Sequence, residues 1–230
     1  MSKIVGILGG MGPMSTVDLM RKVTEKTPVK KEQEHLRILV DSRPQIPDRT
    51  TAILGQGPSP VPFLQESARL LEQWGAELIA IPCNSAHAFL PDVRKAVAIE
   101  VLDMPGLVAR ELAARFPKGT PVGLLATSGS GKARLYHTRL ADFQVLSPAP
   151  DVQQELVMGA IYQYKVEGKL DEPRRKLFQA AATLDPAPAA LIAGCTEVEL
   201  ALDGAESAIP VFCPMDLLAQ EIVERAWREA

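Results

Sequence analysis

Two stretches of the chain end an apolar run on a cysteine and follow it with polar residues. LIAIPCNSAH (Leu78–His87) closes on Cys83, with Asn84 and Ser85 next. LIAGCTEVE (Leu191–Glu199) closes on Cys195, with Thr196 and Glu197 next. A cysteine at the tip of a buried strand can be a small hydrophobe, a nucleophile, a metal ligand or a proton carrier. Each thiol precedes a helical pattern, whose N-terminal dipole and free N–H groups favour a thiolate. Asn84, Ser85 and Thr196 add amide and hydroxyl donors. The cysteines are 112 residues apart, and the chain resembles itself at nearly that offset. IVGILGGMG (Ile4–Gly12) and PVGLLATSGSG (Pro121–Gly131), 117 residues apart, are both apolar strands ending in a small, flexible turn. Two copies of one α/β half would put one acid/base on each face of whatever lies between them. A pair of that kind suits taking a proton from one face of a carbon and returning one to the other.

Other chemistries fit less well. Cys83 and His87 are four apart, but only His35 and His137 remain as histidines and no third or fourth metal ligand suggests itself. His87 lies past the helix start, in a packing or capping position, which weakens a Cys/His nucleophile. GGMGP (Gly9–Pro13) misses the dinucleotide fingerprint, because its third glycine position is Ser15 and no acidic residue follows at the required distance. GSGKA (Gly129–Ala133) places Ala133 where a phosphate loop needs a Mg²⁺-ligating hydroxyl. Such glycine turns still expose N–H groups that suit a carboxylate. Three widely spaced cysteines argue for a reducing cytoplasm and against a disulfide framework or a zinc ribbon; Cys213 reads as core. A net charge of −3 without long single-sign runs gives no footprint for nucleic acid or membrane. Neither a signal peptide nor a spanning segment is visible.

The elements that position these residues alternate along the chain. Strands are expected near Lys3–Leu8, Leu36–Asp41, Glu77–Pro82, Glu100–Leu102, Pro121–Ala126, Phe143–Leu146, Ala189–Ala193 and Ile209–Phe212. Helices are expected at Pro62–Trp74, Met104–Arg115, Val152–Lys165, Glu172–Leu184 and Met215–Arg228. This alternation predicts an α/β fold of two pseudo-symmetric three-layer domains, each with a mostly parallel sheet. Residues 1–103 plus 209–230 form the N-terminal half and 104–208 the C-terminal half, with the crossover at Met104-Pro105-Gly106. The active site would lie in the cleft between the halves. Ser42–Pro62, with five prolines, reads as one long loop after a strand end, where open α/β sheets place ligands.

The motifs GILGGMGP (Gly6–Pro13), IPDRT (Ile46–Thr50), PCNSAH (Pro82–His87), GLLATSGS (Gly123–Ser130) and GCTEVEL (Gly194–Leu200) resemble those of the aspartate/glutamate racemase family, specifically its aspartate racemase branch. The resemblance implies racemisation of an amino acid without pyridoxal phosphate or another cofactor. Cys83 and Cys195 would act on opposite faces of Cα, exchanging thiol and thiolate roles with direction. It implies a small amino-acid substrate, and a homodimer. Asn84, Ser85, Thr127 and Thr196 would hold the α-carboxylate. Arg49 and Lys165 would bind a side-chain carboxylate, with Asp48 orienting Arg49, and Glu197 joins the binding set. Gly10 and Met11 would wall the site.

From the residues alone, Lys165 reads equally well as a solvated helix-end charge. Ser85 stands where the family usually has Thr, and GSGKARLYH (Gly129–His137) carries fewer hydroxyls than usual. Relatives on other substrates, namely hydantoin racemases, maleate isomerases and arylmalonate decarboxylases, are the nearest rivals. An amino-acid-clamping binding module has no use for two cysteines, and a thiol redox protein would form a Cys83–Cys195 disulfide.

Overall fold

The computed structural model describes residues 2–228. Met1, Glu229 and Ala230, which the sequence reading counts in the N-terminal half, lie outside the described residues. The chain divides into two compact units, one running to Met104 and resuming at Met215, the other spanning Pro105–Pro214.

The first unit is built on four parallel strands, β1 (Val5–Gly9), β2 (Ile38–Ser42), β3 (Leu78–Ala80) and β4 (Glu100–Val101), in the order β2-β1-β3-β4. Parallel neighbours need crossovers, supplied by α1 (Pro13–Lys26), α2 (Arg49–Ile53), α3 (Val61–Gln73) and α4 (Leu90–Arg94). Side chains alternate across a strand. Leu8, Ile79 and Ile81 join Leu64, Ala68 and Leu71 of α3 in one core cluster. Their neighbours Ile7, Leu78 and Ala80 point the other way and are also fully buried. Both faces of the sheet are therefore covered, which is why these strands read as unbroken apolar runs.

The second unit repeats this plan with β5 (Pro121–Ala126), β6 (Gln144–Leu146), β7 (Ala190–Gly194) and β8 (Val211–Phe212), in the order β6-β5-β7-β8. Between them come α5 (Met104–Arg115), which leads into the unit, and α6 (Ser128–Lys132). Then follow α7 (Pro150–Val152), a π-helical segment Gln153–Met158, α8 (Gly159–Glu167), α9 (Asp171–Ala181) and α10 (Thr196–Leu202). Leu125, Ala193 and Cys195 pack against Val157, Ile161, Leu177 and Val198.

The internal repeat is written into the strand register. Val5, Gly6 and Ile7 pair with Leu78, Ile79 and Ala80, whereas Val122, Gly123 and Leu124 pair with Ala190, Leu191 and Ile192. The central strands are offset by 117 residues and their partners by 112, the separation of Cys83 and Cys195. The same offsets make Gly10 equivalent to Thr127, Asn84 to Thr196, and Ser85 to Glu197.

Three sequence expectations change. The boundary at 209 moves to the β8 end, because Val211 and Phe212 pair with Leu191 and Ile192 in the second sheet. The final helix, α11 (Pro214–Ala226), belongs with the first unit. Lys22 reaches Asp216 at 2.8 Å, and the Lys3 N–H donates to the Ala226 carbonyl. Ser42–Pro62 is not one loop: it contains α2 and ends as α3 begins. Cys213, expected in the core, is half-buried.

Gly10 closes the first turn at φ +89°, and a Cβ there would run into the backbone of Arg43. Both the left-handed backbone and the close approach exclude other residues. We expect Gly10→Ala to lower unfolding free energy by about 2 kcal/mol or more in urea titrations. Gly131→Ala, in α6 with open space around the new methyl, stays within about 1 kcal/mol of the parent or gains stability.

Candidate active site

In the first unit, Ile7 lies opposite Ala80, three residues before Gly10 and Cys83 respectively. The two strands therefore deliver their turns to the same end of the sheet. The Gly10 N–H donates to the Thr16 hydroxyl at 2.8 Å, tying the turn to the start of α1, and Met11 is buried beside it. After β3 the Cys83 N–H donates to the Ile81 carbonyl, and the chain enters a 3-10 turn, Ser85–Phe89. Cys83 and Asn84 are buried, and Cys83 Sγ lies 3.6 Å from Ser85 Oγ.

The sequence puts His87 in a packing or capping position, and the structure supplies its partners. The Met104 N–H donates to His87 Nε2 at 3.2 Å, so Nδ1 carries the ring proton and donates to the Cys83 carbonyl at 2.9 Å. The neutral imidazole pins the backbone of the cysteine to the start of α5. Only the apolar surroundings of a buried histidine could have hinted at this.

Arg49 sits in the first turn of α2. Asp48 was expected to orient it but instead caps that helix, accepting from the Thr51 N–H at 2.8 Å. The guanidinium is held by carbonyls: Nη1 donates to Ile46 O and Pro47 O, both at 3.0 Å. Its buried Nε has no acceptor among the described residues. A cleft of about 580 Å³ beside β2 and α3, lined by Asp41, Arg43, Glu66 and Arg69, includes none of the expected site residues.

In the second unit Ala126 lies directly opposite Gly194. Thr127 and Cys195, each the next residue, leave the sheet at the same level. Thr127 caps α6, its hydroxyl accepting from the Ser130 N–H at 3.2 Å. Cys195 is the extended residue preceding α10, and its Sγ–H donates to Glu197 Oε2 at 2.9 Å. The Thr196 hydroxyl donates to the same oxygen at 3.2 Å, and Lys165 Nζ lies 3.8 Å from the other. The Lys165 ammonium also stands 5.7 Å from the ring centre of Tyr162. Four expected residues (Lys165, Cys195, Thr196 and Glu197) thus form one cluster, with Cys195, Thr196 and Glu197 buried and Lys165 reaching in from the exposed surface.

This cluster reverses an expectation. The start of α10 was read as favouring a thiolate, yet the Cys195 thiol is pushed well above the ordinary range. Burial is the largest cause; the negative charge of Glu197 and its acceptance of the S–H add to it, and Lys165 opposes them. One short helix end does not offset desolvation plus an adjacent carboxylate.

A family model described as "Asp/Glu/Hydantoin racemase" matches residues 8–222. The chain belongs to this family. The resemblance read from the five motifs is thereby confirmed, as is the expectation of two α/β units with parallel sheets. The aspartate racemase of Picrophilus torridus is similar in structure, with a TM-score of 0.84 and 29% identity over 96% of this chain and 93% of that one. An aspartate racemase homologue from Pyrococcus horikoshii OT3 gives a TM-score of 0.76 and 25% identity, covering 97% of this chain and 98% of that one. The broad specificity amino-acid racemase RacX of Bacillus subtilis (strain 168) is 23% identical over 96% of each chain. No helix among the described residues is long and apolar enough to cross a membrane.

The His87 ring serves two buried partners at once, so losing it orphans both. We expect His87→Ala to lower unfolding free energy by about 2–4 kcal/mol in denaturant titrations.

Proposed function

We propose that the protein interconverts L- and D-aspartate by a two-base mechanism carried by Cys83 and Cys195, without pyridoxal phosphate. One observation carries the reading: the two cysteines follow strands whose register repeats at the spacing of the cysteines themselves. Each thiol stands beside a hydrogen-bonding side chain two residues on, Ser85 or Glu197. Membership of the racemase family and the likeness to the Picrophilus torridus enzyme support it.

The reaction removes a weakly acidic α-proton from one face of Cα and returns a proton to the other. Buried thiols keep bulk water from quenching the carbanion. Asn84, Ser85, Thr127 and Thr196 bind the α-carboxylate, whose fixed position lowers the barrier by orientation. Arg49, anchored by carbonyls and not paired with a carboxylate among the described residues, takes the side-chain carboxylate through its planar fork. Lys165 assists it. RacX, a broad specificity racemase by name, marks the second reading, in which side chains without a carboxylate are also accepted.

Incubation with L-aspartate in D₂O, without added cofactor, tests the proposal: optical rotation decays and deuterium enters Cα. Cys83→Ser and Cys195→Ser each lower racemisation by about a thousandfold or more, since an alcohol replaces the proton carrier. Full activity in either variant overturns the two-base scheme. Arg49→Ala lowers kcat/KM for aspartate by about a hundredfold but for alanine by no more than about threefold. Equal losses on both substrates sink the aspartate reading in favour of the broad one.

A further inference from the structure

We infer that Gln153 and Met158 are positioning residues: they clasp the peptide groups on either side of Thr127 and so aim its hydroxyl at the substrate α-carboxylate. The inference deepens the racemase reading and rests on it for the ligand, whereas the clasp stands on geometry within the second unit. Gln153 Nε2 donates to the Ala126 carbonyl at 2.9 Å, and the Ser128 N–H donates to Met158 Sδ at 3.3 Å. The first bond holds the peptide group before Thr127 and the second holds the one after it. Peptide groups are planar, so holding both fixes φ and ψ of Thr127, here −64° and 151°, and with them the direction of its Cβ. The Thr127 hydroxyl accepts from the Ser130 N–H and lies 3.1 Å from Ser130 Oγ. With Ser130 as the donor there, the Thr127 O–H is left for a carboxylate.

The winding of the segment makes the clasp possible. Gln153–Met158 is π-helical, and the Gly159 N–H donates to the Gln154 carbonyl five residues back. Gln153 and Met158 are themselves five residues apart. At 3.6 residues per turn an α-helix would carry the second about 140° round from the first, and only one of them could face the turn. Pairing at i→i+5 stacks residues five apart on one face. The turn needs outside support because α6 has only five residues, too few to hold its own start. The Ser128 N–H opens that helix and has no acceptor inside it, so the thioether supplies one. In the first unit the equivalent turn is tied by its own helix: α1 has 14 residues, and its Thr16 hydroxyl accepts from the Gly10 N–H.

Steady-state kinetics with L-aspartate test the clasp. Gln153→Leu and Met158→Leu keep side-chain bulk but remove the donor and the acceptor. Each raises KM about tenfold with kcat held within about threefold, since the α-carboxylate is bound alike in the ground and transition states. Gln154→Ala, at an exposed position of the same segment, leaves KM within about twofold of the parent. In a Thr127→Val background Gln153→Leu adds less than about twofold, because the hydroxyl it aims is gone. An unchanged KM in Gln153→Leu, or the same rise in both backgrounds, overturns the inference. A second arm does not depend on turnover: residue-resolved amide hydrogen exchange of the full chain by NMR. Gln153→Leu and Met158→Leu speed exchange at Ser128 and Ser130 by about tenfold or more, while Val122–Leu125 of β5 stay within about threefold. Unchanged Ser128 and Ser130 amides, or equal acceleration through β5, overturn the clasp. If the parent protein does not racemise aspartate, the racemase reading fails and the amide-exchange arm alone decides this one; it also decides if Thr127→Val is inactive.

Discussion

The parallel pairing of β1 with β3 and of β5 with β7 is the constraint on which the rest depends. Every position of β1, β3 and β7, and every position of β5 after Pro121, is buried and committed to packing. On these central strands polar chemistry can begin only where the buried run stops. In the second unit the last pair is Ala126 with Gly194, and the next residues are Thr127 and Cys195. In the first unit Ile7 and Ala80 are each three residues short of Gly10 and Cys83. The register thus decides which side chains emerge together, and on the proposed two-base reading the strand tips are where a proton carrier could meet a ligand.

A repeated backbone does not impose repeated chemistry. Equivalent positions carry Gly10 and Thr127, Asn84 and Thr196, Ser85 and Glu197. The strands and their order are preserved because a shift of one residue would turn every buried side chain to the wrong face. The turn residues escape that penalty and have diverged. For an interconversion of mirror images the equilibrium constant is one, so neither direction needs a thermodynamic advantage. On the proposed two-base reading each thiol must reach both protonation states, and unlike neighbours can bring the two thiols to that condition by different routes.

The strands and the longer helices were legible in the sequence because apolar runs and helical spacing are local signals. The repeat was legible only in part. Matching LIA to LIA gives an offset of 113 residues, one out from the register the sheets adopt. Small apolar residues are interchangeable in a doubly covered strand, so their letters are poor rulers; the cysteines, which are not interchangeable, gave the true spacing. The short α2 was hidden among prolines, since a five-residue helix has too little periodicity to show. The Asp48 cap, the His87 staple and the Glu197–Cys195 contact depend on side-chain directions that spacing does not reveal. A capping residue two before a threonine-rich turn, or a glutamate two after a cysteine, is too common a pattern to decide a role.

Arg49 and Lys165 illustrate what the contacts add. The resemblance assigns both cations to a side-chain carboxylate, but their charges are not equally available. Lys165 lies 3.8 Å from Glu197, so part of its field is spent inside the protein. Among the described residues the Arg49 guanidinium has carbonyl dipoles for partners, and the carboxylate next to it in sequence is occupied with the Thr51 N–H. Carbonyls orient a guanidinium without neutralising it, and a buried Nε without an acceptor raises the cost of leaving the group unliganded. On the aspartate reading, Arg49 therefore supplies the attraction that selects an acidic side chain. Lys165, already committed to Glu197, is better suited to adjusting the proton chemistry of Cys195.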